Sequence, residues 1–265
     1  MTPASFAAAL AGFAALAACL ALGVWLGRRR RAVVAGAAAV CLAVILFRRF
    51  LRDRPDLDDA LFTSDAYTAI QEWWAIPFAI AVMGIGIPQA TRAWRRVAFE
   101  VVAGLLLALA GGRLYESATG GPRGLHGRPD RDGICLQTSH YSCGAAAAAT
   151  LLARIGVPAD ELEMARLCGT SRLGTDVLPA CRGLRRKLAG TGRRVDIVRA
   201  DWEALRRRRT PAMAVIAYSF LIDHWVVVLE TRADAVVLAD PLEGRRELTR
   251  EAFLRDWRGV LVAVD

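Results

Sequence analysis

Residues Ala4 to Gly27 form a run of 24 positions without a charged side chain. As a helix, such a run is long enough to span a hydrocarbon layer about 30 Å thick, with every backbone polar group satisfied internally. Arg28 to Arg31 follow it directly. A cleavable signal peptide carries its positive charges ahead of the apolar core, so the run reads as a retained span. Further apolar runs cover 32–51, 73–88 (opened by Trp73 and Trp74) and 97–112, which contains one acid, Glu100. Edge aromatics suit the membrane interface. The pattern predicts a helical transmembrane region over residues 1–112 with about four spans, 4–27, 32–51, 73–88 and 97–112. Two spans plus interfacial helices is the alternative. Gly111 and Gly112 read as caps at the end of the last run.

The chain is 55% hydrophobic, with mean hydropathy +0.32, and most of the apolar excess precedes residue 112. Two parts in different solvents explain this better than one large core. The net charge of +9 comes from 35 basic and 26 acidic residues, and Lys187 is the sole lysine. Arginines interleaved with acids do not make the clustered basic face of a nucleic-acid binder, so no nucleic-acid partner is expected. Arg206 to Arg209 are the exception; they read as a solvated helix end, with anionic lipid headgroups as the alternative contact. Arg28 to Arg31, and Arg92, Arg95 and Arg96, mark loops expected on the cytoplasmic side, which places the C-terminal part outside the cytoplasm. Six cysteines without a CxxC spacing, and three histidines in all, argue against a structural zinc site. No metal or cofactor is expected.

Residues 113–131 read as a linker with four glycines and two prolines. Residues 132–265 have the pattern of an α+β domain, with helices first and an antiparallel sheet after. Helices are predicted over Cys143 to Ile155, Ala159 to Leu167, Leu178 to Leu188, Asp201 to Arg206 and Thr249 to Arg255. Valine-rich strands are predicted over Val195 to Val198, Ala212 to Ala217, Trp225 to Leu229, Ala235 to Ala239 and Val260 to Val264.

The segment Gln137-Thr138-Ser139-His140-Tyr141-Ser142-Cys143-Gly144-Ala145-Ala146 carries the chemistry. Cys143 stands where a loop becomes a helix, and the unpaired N–H groups and dipole there favour an anionic sulfur. Gln137, six residues upstream, has an amide able to fold back onto an oxyanion formed by attack of Cys143, with the Cys143 N–H as second donor. His224 opens the run Trp225 to Leu229 and is a base able to reach across to a helix start. Asp240 ends the next strand and, in paired strands, orients the imidazole. His140 is too near Cys143 in a tight loop to lie over its sulfur. Asp223 projects to the strand face opposite His224. Cys168 and Cys181 are either a disulfide or free core thiols, depending on compartment.

In Gln137, the Cys143-Gly144-Ala145-Ala146 run, His224-Trp225-Val226-Val227-Val228-Leu229, Asp240-Pro241 with Gly244, and the closing Phe253, Trp257 and Gly259, the chain resembles the bacteriocin-processing, double-glycine leader peptidases, cysteine peptidase family 39 of the papain-like clan. The resemblance covers about residues 132–265. It implies a papain-like fold, no metal, a peptide or protein substrate, and catalytic roles for Cys143, His224 and Asp240 with Gln137 at the oxyanion hole. The expected activity is a membrane-anchored endopeptidase, cutting after a double-glycine-type leader in a bacterial cytoplasmic membrane. The alternatives are a non-catalytic leader-binding module and a papain-like acyltransferase. Ser142 stands where members often carry an acid. Many members form the N-terminal domain of an ABC transporter, whereas here the membrane part comes first and no GxxxxGK[ST] loop occurs. The implied partners are therefore the lipid bilayer and a separate ABC-type exporter.

Overall fold

The computed structural model describes residues 3–62, 74–118, 122–208, 211–219 and 222–265. It divides into two compact units, residues 1–120 and 121–265. In the first, the apolar runs become helices α1 (Pro3–Gly27), α2 (Arg31–Asp53), α4 (Ile76–Gln89) and α5 (Ala93–Ala118), with a short α3 (Pro55–Leu61) after α2. Among the described residues two stretches, Leu10–Gly27 and Arg31–Asp53, are long and apolar enough to cross a membrane; α4 is apolar but has 14 residues. The expected third run begins at Trp73, which lies outside the described residues. Helix α1 packs tightly on α4 through small residues. A Cβ on Gly23 would sit 2.3 Å from the Ala81 carbonyl oxygen, and one on Gly84 2.5 Å from that of Leu20. Small residues facing one another let two helix backbones approach this closely and gain van der Waals contact. Leu16, Ile80 and Ala110 form the buried centre of this unit.

Two expectations are corrected here. Gly111 and Gly112 are not caps, because α5 continues through them to Ala118. The 19-residue linker is also shorter than expected. Leu125 is buried, and Pro129 bridges Cys135, so the stretch from residue 122 belongs to the C-terminal unit. Its glycines and prolines shape a packed loop, which composition alone does not distinguish from a tether.

The C-terminal unit opens with helices α6 (Cys143–Arg154), α7 (Glu161–Leu167) and α8 (Val177–Lys187). Then come β1 (Val195–Arg199), α9 (Trp202–Arg207), β2 (Ala212–Ser219), β3 (Ile222–Thr231), β4 (Ala235–Asp240), β5 (Gly244–Thr249), α10 (Arg250–Asp256) and β6 (Trp257–Val264). Side-chain caps fix several starts: Asp160 accepts from Glu163 N, Asp201 from Ala204 N, and Thr249 from Ala252 N. The strands form one antiparallel sheet in the order β1-β6-β2-β3-β4-β5. Strand β5, Gly-Arg-Arg-Glu-Leu-Thr, escapes prediction because it is polar. It lies at the sheet edge, with half its residues facing water, and needs no apolar run. Gly244, at φ +79°, turns the chain into it after Asp240.

One face of the sheet carries Ala214, Ile216, Val226, Val228, Val236, Leu238 and Leu261, closed by Trp202 and Leu205 of α9 and Phe253 of α10. Helix α6 packs against β3 and is buried from Gly144 to Leu152, which explains its run of alanines: larger side chains would hold helix and sheet apart. Gly144 shows the closeness directly. A Cβ there would lie 2.7 Å from Thr175 Cβ and 3.0 Å from Trp225 Cδ1.

Candidate active site

Cys143 is the first residue of α6, and the Ser142 side chain caps none of the first-turn N–H groups. The helix start is thus left open to an anion. Cys143 is only partly buried, whereas Cys135, Cys168 and Cys181 are buried. Burial pushes Cys135 and Cys168 up to about 12, so both are protonated and unreactive at neutral pH. All six cysteines are free thiols, Cys168 and Cys181 included.

His224 and Asp240 lie on the same sheet face, because their parity follows Val226 on β3 and Leu238 on β4. Pairing of Val227 with Ala239 sets Asp240 diagonally across from His224. Their side chains meet with Nε2 2.8 Å from Asp240 Oδ1, and both are almost fully buried. That leaves the other ring nitrogen, Nδ1, clear of Asp240, and the Cys143 side chain is among the groups that act on the imidazole. Burial alone would lower the imidazole, but Asp240 and Cys143 outweigh it and raise His224 to about 9. Asp240 moves the opposite way, to about 2: burial opposes ionisation, and the His224 bond, the Leu242 N–H and Arg246 overcome it.

Arg246 escaped the sequence reading. From the edge strand β5 its Nη1 donates to Asp240 Oδ2 at 2.9 Å, while its Nε lies 3.2 Å from Glu243 Oε2. Nothing local to Arg246 announces this contact, since it depends on the β4–β5 register. Tyr218, largely exposed, sets its ring 5.8 Å from that of His224 at a 50° tilt. Asp223 points away and pairs with Arg258 at 2.9 Å. His140 is exposed and stacks edge-on with Tyr141.

Gln137 is tied at both its ends. Its main-chain N–H donates to Pro241 O at 2.8 Å, joining the loop before Cys143 to the turn after Asp240. Its side-chain Nε2 donates to Ser139 O at 2.8 Å, leaving one amide hydrogen uncommitted. Its Oε1 is buried without a hydrogen bond. Among the described residues no group of three or more His, Cys, Asp or Glu side chains is placed to hold a metal ion.

The model of the Peptidase C39 family matches residues 131–265. An uncharacterized protein of Methanothermobacter marburgensis is 37% identical over 134 residues, covering 50% of this chain and 87% of that protein. The lactococcin-G-processing and transport ATP-binding protein LagD of Lactococcus lactis is 27% identical over 131 residues, 49% of this chain and 18% of LagD. Among solved structures, the peptidase domain of Streptococcus ComA aligns with 49% of this chain and 94% of that domain, at 19% identity and a TM-score of 0.44. With a family match over half its length, reaching from the loop ahead of Cys143 to the last strand, the chain belongs to the Peptidase C39 family.

Proposed function

We propose that the protein is a membrane-anchored cysteine endopeptidase that cleaves peptide bonds after a double-glycine-type leader. Cys143 is the nucleophile, His224 the base and later the acid, Asp240 its orienting carboxylate and Gln137 an oxyanion donor. The observation that carries this reading is the buried hydrogen bond between His224 and Asp240 at 2.8 Å, with Cys143 at the helix start among the groups that raise the imidazole to about 9. An imidazolium beside a sulfur at a helix start is the arrangement that keeps a thiolate in waiting.

In the proposed sequence, the Cys143 proton passes to His224 Nδ1 and the sulfur attacks the peptide carbonyl carbon. The carbonyl electron pair moves onto oxygen, which accepts from the Cys143 N–H and the uncommitted Gln137 amide hydrogen. Collapse expels the amine, which takes the proton from Nδ1, and leaves an acyl-enzyme. Water, deprotonated by the same nitrogen, then releases the acid and restores the thiol. In an acyltransferase an added amine replaces that water.

The two long apolar helices support anchoring in a bilayer, and we extend this to about four spans using α4 and α5. The proposed setting is a bacterial cytoplasmic membrane with the peptidase domain outside the cytoplasm. LagD is named for both processing and transport, which favours a separate ABC-type exporter as partner of this chain.

The test uses the full-length protein in detergent. Iodoacetamide in mildly acidic buffer should label Cys143 selectively, and His224→Ala should abolish that selectivity. A fluorogenic peptide with Gly-Gly ahead of an aminocoumarin should be hydrolysed, and Cys143→Ala should stop it. Added amine that diverts the product to an amide would reassign the protein as a transferase. Equal labelling of Cys135, Cys143, Cys168 and Cys181 would remove the basis for the ion pair.

A further inference from the structure

Glu161 is completely buried, yet among the described residues no cation is its hydrogen-bond partner. It stands at the first position of α7, away from the line of Cys143, His224 and Asp240. A buried carboxylate costs several kcal/mol unless its lone pairs are filled. Here they are filled from two separate segments. Gly127 N donates to Oε2 at 2.8 Å and Thr138 N to Oε1 at 2.8 Å, and the Thr138 hydroxyl also donates to Oε2. Further along the same loop, the Ser142 hydroxyl accepts from Ser139 N at 3.1 Å and donates to Ser139 O at 2.9 Å. The bonds to Glu161 together hold the carboxyl below its usual range against the burial that pushes it up.

These contacts are not scattered. Thr138 follows Gln137 directly, and Ser142 precedes Cys143 directly. Ser139 O, the acceptor that holds the Gln137 amide, is fixed by the same Ser142 hydroxyl. One carboxylate therefore grips this loop at Thr138, next to Gln137, and the paired Ser139–Ser142 bonds carry that hold to the start of α6. Gly127 N and Glu161 N exchange bonds with Glu161 Oε2 and Gly127 O, which braces the carboxylate from behind.

We propose that Glu161 is a positioning residue for the oxyanion hole: it sets the Gln137 amide and the Cys143 N–H at the separation that a tetrahedral oxyanion requires, without touching the sulfur or the imidazole. The inference rests on the peptidase reading above. Glu161→Gln keeps the shape but presents an NH₂ group to a site filled with donors, so the loop must shift. Loss of donor geometry by about 1 Å costs on the order of 10- to 100-fold in turnover. Alkylation by iodoacetamide supplies the control, because the sulfur displaces iodide at a saturated carbon and no oxyanion forms.

In the full-length protein, Glu161→Gln should lower kcat on the Gly-Gly aminocoumarin peptide by about 10- to 100-fold, with KM and the alkylation rate of Cys143 each within about twofold. An unchanged kcat overturns the proposal. A parallel fall in turnover and alkylation also overturns it, since the damage then reaches the ion pair. Thr138→Val removes one donor and should give the same split at smaller size; it decides the matter if Glu161→Gln does not fold. If the wild type is alkylated at Cys143 but turns over no peptide, the peptidase reading fails by itself. Amide hydrogen exchange at Thr138, Ser139 and Ser142 then serves as the readout: faster exchange in Glu161→Gln with α6 unchanged sustains the positioning role, and unchanged exchange refutes it.

Discussion

Replacing Asp240 by asparagine keeps the side-chain volume and removes the charge that faces His224. The two groups are 2.8 Å apart and almost fully buried. Opposite charges about 4 Å apart, centre to centre, interact by roughly 4 kcal/mol at an effective dielectric constant near 20. Arg246, 2.9 Å from the other carboxylate oxygen, neutralises part of that field. The net support to the imidazolium is then about 1.5–3 kcal/mol, or one to two pH units. His224 stands at about 9 in the native site, and turnover requires its protonated form to expel the amine. The basic limb of kcat/KM, which reports the free enzyme, should therefore fall from about 9 toward roughly 7–8 in Asp240→Asn. The assay is hydrolysis of the Gly-Gly aminocoumarin peptide between pH 5 and 10. A basic limb that stays near 9 would refute the argument that Asp240 is the charge partner of His224.

Arg246→Met should move the same limb in the opposite direction, upward, because the full Asp240 charge then acts on His224; a downward shift in that assay would show that Arg246 serves only to hold the carboxylate in place. Stability should also follow the imidazole. A histidine raised from 6.5 to about 9 stabilises the native state fully below pH 6.5, and that contribution is lost as pH rises through about 9. Thermal unfolding of the C-terminal unit should therefore show a midpoint falling over that window, more weakly in Asp240→Asn. Gly144→Ala should cost about 1–3 kcal/mol. Its Cβ would meet Thr175 and Trp225, which are themselves joined by a 2.8 Å bond from Trp225 Nε1 to Thr175 O and have little room to yield. The measurements are a lower unfolding midpoint and slower alkylation of Cys143.

Much of the fold is written in short stretches of chain. The apolar runs became helices, with 97–112 extended to Ala93–Ala118. The alanine-rich segment from Cys143 is a helix, and the valine-rich segments are strands because each buries at least one face. The order of Gln137, Cys143, His224 and Asp240 along the chain, and their places at a loop, a helix start, a strand and a strand end, are local facts. So is the parity that sends Asp223 away from the face of His224. The fold class and the family could be read from these alone.

The remainder depends on residues distant in sequence meeting in space. Arg246 reaches Asp240 only through the β4–β5 register, and β5 itself has no apolar signature because a sheet edge does not demand one. Glu161 looks like an ordinary acid in the first turn of a helix, and only the packing of α7 brings it to Gly127 and Thr138, 34 and 23 residues away. The stretch after residue 121 looked like a tether because glycine and proline suit both free and packed loops. Periodicity records which side chains are buried; it does not record which buried groups meet, and the polar contacts around this site are set by that second choice.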